Sequence, residues 1–93
     1  MSEQDHITET TKGHIAANFK NTELGLVRIA RNLDLLALSK SELIFHCRKI
    51  IKATPIKNVE IRGKNYYFKS KDYSAVLTIN RSSLGIITAK QHK

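Results

Sequence analysis

Thr88, Lys90 and His92 alternate along the last segment of the chain, Ile86-Ile87-Thr88-Ala89-Lys90-Gln91-His92. On a β-strand, residues two apart project from the same face, so this spacing gathers a hydroxyl, an ammonium and an imidazole. The imidazole titrates near neutrality and can move a proton. The ammonium can stabilise negative charge developing on a phosphoryl oxygen, and the hydroxyl can hydrogen-bond to phosphate. These are the groups needed to hold and cut a phosphodiester, and they make His92, Lys90 and Thr88 the candidate catalytic residues.

Other residues have types that suit the same substrate. Thr78 and Asn80, in Leu77-Thr78-Ile79-Asn80, share the polar parity of the preceding segment. Lys64 is a further cation for phosphate, and Arg81 with Ser83 combines a guanidinium and a hydroxyl in one loop. Tyr66 and Tyr67 are adjacent, so on a strand they point to opposite faces. Tyr67 is expected outward, where its ring can stack on a base of any identity, with Tyr66 and Phe68 inward. His46 and Lys49 lie three residues apart on a helix and can share its face. Each has a plainer reading: threonine suits strands, Arg-Ser-Ser is ordinary turn chemistry, and a helical histidine often sits half-buried.

No His, Asp or Glu pair has convincing ligand spacing, so no metal is expected. No glycine-rich phosphate loop is present and no cofactor is expected. Cys47 falls among apolar helix positions and reads as core. A single cysteine excludes an internal disulfide.

The elements that must position these groups follow from periodicity. Residues 1–12 are polar and read as a flexible segment, followed by one domain over residues 13–93. Ile15 and Phe19 suggest a short helix from Gly13 to Lys20. Asn21 or Thr22 can cap a second helix over Glu23 to Leu36, where Leu26, Ile29, Ala30, Leu33 and Leu36 recur at steps of three and four. Ser39 and Glu42 form a capping box for a third helix that carries Leu43, Ile44, Cys47, Ile50 and Ile51. Pro55 stops it.

After Pro55 the period becomes two. Val59–Ile61, Tyr66–Phe68, Ala75–Asn80 and Ile86–Lys90 read as four strands joined by tight turns. The fold class is therefore α+β: two or three N-terminal helices packed on one face of a four-stranded antiparallel meander. Leu77, Ile79, Ile87 and Ala89 should face the helices, and Thr78, Asn80, Thr88 and Lys90 should face away. Val76 and Ile86 break that alternation.

Charge supports a polyanionic partner. The net charge is +8, with residues 54–93 holding 8 Lys/Arg against Glu60 and Asp72. That field draws RNA, or an acidic protein, to the C-terminal portion. No apolar run is long enough to span a membrane, and the first residues lack the pattern of a secretory signal. A cytoplasmic site of action is expected.

The runs Gly63-Lys64-Asn65-Tyr66-Tyr67-Phe68, Leu77-Thr78-Ile79-Asn80 and Ile86-Ile87-Thr88-Ala89-Lys90 resemble the C-terminal strands of the barnase/EndoU/RelE-like superfamily of small bacterial ribonuclease toxins. The likeness covers about the last third of the chain and extends to the order of helices before sheet. It implies a metal-independent RNase that activates the ribose 2′-hydroxyl, with tRNA one candidate substrate. It also implies a toxin domain, deliverable as part of a larger effector, and an acidic antitoxin or immunity protein as partner. Carried over, the matching positions are Thr88, Lys90 and His92, with Lys64 and Tyr67. This chain lacks the paired Glu and His of the barnase pattern. The alternative expectation is a non-catalytic nucleic-acid-binding regulator or a phage-type inhibitor, which needs the cations but no histidine.

Overall fold

Three helices precede a four-stranded sheet in the computed structural model, which describes residues 7–91. The first, α1 (Glu9–Asn18), starts where the Thr8 hydroxyl accepts the Thr11 amide at 3.0 Å. Residues 9–12, expected within the flexible leader, are therefore its first turn, and Ile7 before them is buried. Ile7 joins Ile15 and Phe19 in one core, and this burial is what draws the segment in.

α2 (Glu23–Asn32) is capped by Thr22, whose hydroxyl accepts the Gly25 amide. It ends four residues earlier than its periodicity suggests. The Leu35 amide donates to the Ala30 carbonyl at 2.7 Å and the Asp34 amide to the Arg31 carbonyl at 3.3 Å, while Asp34 takes a left-handed φ of 60°. This is a Schellman stop with aspartate in the place usually held by glycine. Leu36 consequently leaves the helix and is 71% exposed.

α3 (Lys40–Ala53) begins at the Ser39–Glu42 capping box expected from the sequence. Of its buried face, Cys47, Ile50 and Ile51 join the core under the sheet, while Leu43 packs with Leu26 and Ala30 of α2. α1 lies against α3. Arg48 Nε donates to the Ala16 carbonyl at 2.8 Å, and Lys12 Nζ donates to the Lys52 and Thr54 carbonyls at the C-terminal end of α3.

A 3-10 turn at Ile56–Asn58 leads into the strands β1 (Val59–Arg62), β2 (Asn65–Ser70), β3 (Ala75–Asn80) and β4 (Ile86–Gln91). They pair antiparallel in the order β1-β2-β3-β4, and the helices cover one face. On that face Val59, Phe68, Leu77 and Ala89 lie across from one another, and all are buried.

A bulge explains the break in alternation on the last strand. Thr78 pairs with Thr88, but Ile79 pairs with Ile86, so Ile87 is the extra residue. Ile86, not Ile87, therefore joins the core, at 3% exposure, and Ile87 is half-buried. This reverses the expected placement of the two isoleucines.

The two edges of the sheet differ. β4 is covered along its outer side. Lys20 forms a parallel bridge with Gly85, donating its amide to the Leu84 carbonyl and accepting the Ile86 amide, both at 2.9 Å. Farther along, Asn32 Nδ2 donates to the Ala89 carbonyl at 2.9 Å. Between them α2 passes so closely that a Cβ on Gly25 would lie 2.9 Å from the Ile86 carbonyl oxygen. No described segment pairs with the outer side of β1.

Candidate RNA-binding face

The uncovered face of the sheet is built by strand parity. From β1 it presents Glu60 and Arg62, from β2 Asn65, Tyr67 and Lys69, from β3 Val76, Thr78 and Asn80, and from β4 Thr88 and Lys90. Tyr67, Thr78 and Thr88 form one row across three strands, and Lys69, Val76 and Lys90 form the next. Thr88 and Lys90 therefore share the face assigned to them from the sequence, and Tyr67 points outward with them. Tyr66 and Phe68 point inward, as expected, and their rings meet edge to face at 6.2 Å.

Arg62, Lys69 and Glu60 were not singled out from the sequence. Arg62 reads as part of a turn, yet it ends β1 and its guanidinium lies 4.7 Å from the Tyr67 ring centroid. Glu60 Oε1 accepts from Lys69 Nζ at 2.7 Å and Oε2 from Arg62 Nε at 2.9 Å. The hydrogen bond from Lys69, followed by the nearby charges of Arg62 and Lys69, holds the Glu60 carboxyl below the usual carboxylate range. The signal for Lys69 is its spacing of two from Tyr67.

The hydroxyls are less free than their parity implies. Thr78 is only 8% exposed, because it sits in the middle of the sheet with Tyr67 and Thr88 on either side. Thr88 Oγ1 accepts from Asn32 Nδ2 at 3.3 Å. Asn80 turns its side chain into its own loop, where Oδ1 accepts the Ser82 and Ser83 amides at 2.9 and 3.0 Å and the Ser83 hydroxyl at 3.3 Å. Ser83 Oγ also accepts the Gly85 amide. Asn80 and Ser83 thus shape the turn: the Asn80 carbonyl oxygen and the Ser83 hydroxyl are committed to it, and of these two side chains only the Asn80 Nδ2 amide has no partner among the described residues. Lys90 is exposed and has no anionic partner among the described residues.

The remaining candidates lie elsewhere. Lys64 and Arg81 belong to the β1–β2 and β3–β4 turns, where the Arg81 amide donates to the Lys64 carbonyl at 2.8 Å. His46 and Lys49 stand on α3, in the helix layer behind the sheet. His46 packs edge-on against Tyr73 at 5.3 Å. Burial, and then the charge of Lys49, lower its pKa from 6.5. The sheet separates both residues from Thr88 and Lys90, so they do not contribute to the same site. His92 lies outside the described residues. Cys47 is buried in the core, and burial pushes its thiol up to about 12, which leaves it unreactive. Among the described residues no cluster of metal-ligating side chains occurs.

A family model for proteins of unknown function, DUF3781, matches residues 13–90 of the 93. The chain belongs to the DUF3781 family. The matched span contains every residue of the open face named above, whereas His92 falls beyond it. Neither a curated protein nor a solved structure matches the chain. Within the described residues no helix is long and apolar enough to cross a membrane.

Proposed function

We propose that this protein binds single-stranded RNA on the open face of its sheet. The observation that supports this reading is the Arg62 guanidinium 4.7 Å from the outward ring of Tyr67, with Lys69 two residues along the same strand and Lys90 two strands away on the same uncovered face. A single strand needs cations along its backbone and an aromatic surface for a base. A guanidinium already stacked on the ring extends that surface. Double-stranded nucleic acid is a poorer fit, because the face presents no protruding helix or ribbon to enter a groove.

Cleavage is the second reading, and the resemblance to small ribonuclease toxins favours it. Lys90 and Thr88 stand side by side on the last strand, with His92 two residues on in sequence. In this reading the ribose 2′-hydroxyl gives up its proton and attacks the phosphorus, and the bond from phosphorus to the 5′-oxygen breaks to leave a 2′,3′-cyclic phosphate and a protonated 5′-hydroxyl. Lys90 neutralises the charge on the phosphoryl oxygens, and His92 transfers the proton. One observation ranks cleavage below binding. The one carboxylate on the face, Glu60, is held by two cations and is a weak proton acceptor, so proton transfer in this reading falls to His92 alone. An acidic antitoxin or immunity protein would use the same cationic face.

Incubation of the purified chain with total RNA in EDTA separates the readings. Salt-sensitive retention of intact RNA is expected, weakened by Lys90→Ala with a salt slope shallower by about 0.7 for the lost phosphate contact. Metal-independent cleavage abolished by His92→Ala would establish the nuclease instead. Neither retention nor cleavage at 50 mM salt would overturn both.

A further inference from the structure

At one end of the sheet the β1–β2 and β3–β4 turns flank an open surface cavity of about 320 Å³, lined by Gly63, Lys64, Tyr66, Arg81 and Ser82. Its aromatic wall is Tyr66, which belongs to the helix-facing side and packs against the core. The cavity is therefore not part of the open face that carries Tyr67. We propose that it is a separate binding site for a phosphate monoester, and this inference does not depend on the RNA reading of the open face.

Charge is the first argument. Lys64 and Arg81 come from different turns yet line one concavity, no carboxylate lines it, and neither cation has an anionic partner among the described residues. Two neighbouring cations repel each other, and a dianion between them removes that repulsion. A phosphate monoester carries close to two negative charges at neutral pH, whereas a carboxylate or a backbone phosphodiester carries one.

Preorganisation is the second. The Arg81 amide donates to the Lys64 carbonyl at 2.8 Å, and Arg81 Nη1 donates to the Gly63 carbonyl at 3.2 Å, tying the two turns together. Gly63 turns the chain in the left-handed region, at a φ of 57°. The Asn80 side chain locks the Ser82–Ser83 turn from within. These bonds hold the cavity in shape before any ligand arrives, which lowers the ordering cost of binding.

Donor chemistry is the third. A guanidinium has five N–H donors. Arg81 spends one on Gly63, and its guanidinium lies 5.8 Å from the Tyr66 ring centroid, which orients the rest. Forked donors of this kind suit phosphate oxygens. The Ser82 hydroxyl makes no hydrogen bond within the described residues and adds a further donor at the rim. The volume stands at the lower end of the range for small-molecule sites, roughly 300–1,000 Å³. It leaves room for the group that the phosphate esterifies.

Amide NMR of the full chain, titrated with inorganic phosphate at constant ionic strength, tests this. Saturable shifts are expected at Gly63, Lys64, Ser82 and Ser83. Lys64→Ala, which leaves both Arg81 turn bonds intact, should weaken them at least tenfold. Lys90→Ala, on the open face, should leave them unchanged. The ester's source follows from two further probes. Preferential binding of a 5′-phosphorylated oligoribonucleotide over its unphosphorylated twin assigns the site to a strand end. Equal binding of free adenosine monophosphate and the phosphorylated strand assigns it to the nucleotide alone. Shifts that fail to saturate, that spread over all surface cations, or that survive Lys64→Ala would overturn the proposal.

Discussion

Glu60 is the only carboxylate on the four strands, and it occupies two of the three cations on the face that carries Tyr67. A phosphate that binds this face must compete with it. Glu60→Gln should therefore tighten RNA binding, by up to about fivefold, a modest gain because the ion pairs it breaks are exposed and screened. Fluorescence anisotropy with a labelled oligouridylate measures this, and unchanged or weaker binding would place the RNA elsewhere. His46 gives a second prediction at this scale. Its folded pKa lies below the unfolded value of 6.5, so the folded state disfavours the extra proton. The associated stability is complete above 6.5, begins to fall as the pH drops past that value, and is fully lost below the folded pKa. Thermal unfolding between pH 7.5 and 5.5 should show a falling midpoint, and His46→Gln should flatten that slope. Glu60, lowered from 4.5, loses its contribution at more acidic pH and does not overlap this window. Of the open face, Thr88, Lys90 and Tyr67 were legible because a period of two is enough to place them. Lys69 obeys the same rule but carries no signal that sets it apart from other lysines, and its pairing with Glu60 depends on the register between β1 and β2, which cannot be seen in one strand.

The architecture of helices and sheet was legible in the sequence because caps and periods agree along most of the chain. Thr22, the Ser39–Glu42 box and Pro55 punctuate the helices where expected. The exceptions have local causes. α2 stops at a left-handed Asp34, which carries none of the signal a glycine would give, so its apolar period ran on to Leu36. The bulge at Ile87 cannot be read from a run of two isoleucines, because either can be the extra residue. α1 begins early because Ile7 finds the core, a tertiary contact that no local pattern encodes. The contact of α2 with β4 is the tightest of these features and can be tested. Gly25→Ala would add a Cβ 2.9 Å from both the Ile86 carbonyl oxygen and Thr22 Oγ1. Alanine gains about 1 kcal/mol of helix propensity, but overpacking against backbone costs about 1–3 kcal/mol. The net expectation is loss of stability, read as a lower urea midpoint. A midpoint that rises would mean that α2 can withdraw from the strand without cost.

The molecule as a whole divides its work between the two sides of one sheet. The helix side carries the core and the half-buried His46, while the other side carries cations and an outward aromatic ring. The net charge of +8 is thus not spread evenly, and the excess lies with the strands, where residues 54–93 hold 8 Lys/Arg against two acids. Of those cations Arg62, Lys69 and Lys90 stand on the open face beside the single acid Glu60, while Lys57, Lys64, Lys71 and Arg81 stand in turns around it, so the positive field extends along the borders of the sheet as well as over that face. Screening shortens the reach of that field to about 8 Å at physiological salt, so it guides the last steps of encounter.

The unequal borders of the sheet limit how this protein can self-associate. Lys20, Gly25 and Asn32 seal one flank, so among the described residues the short flank of Val59–Arg62 is the one with peptide groups free to recruit a further strand. Two copies joined there would exhaust each other's capacity, giving a closed pair with a continuous eight-stranded sheet. A fibre needs two receptive flanks per unit, and a chain sealed on one side cannot propagate one by lateral addition.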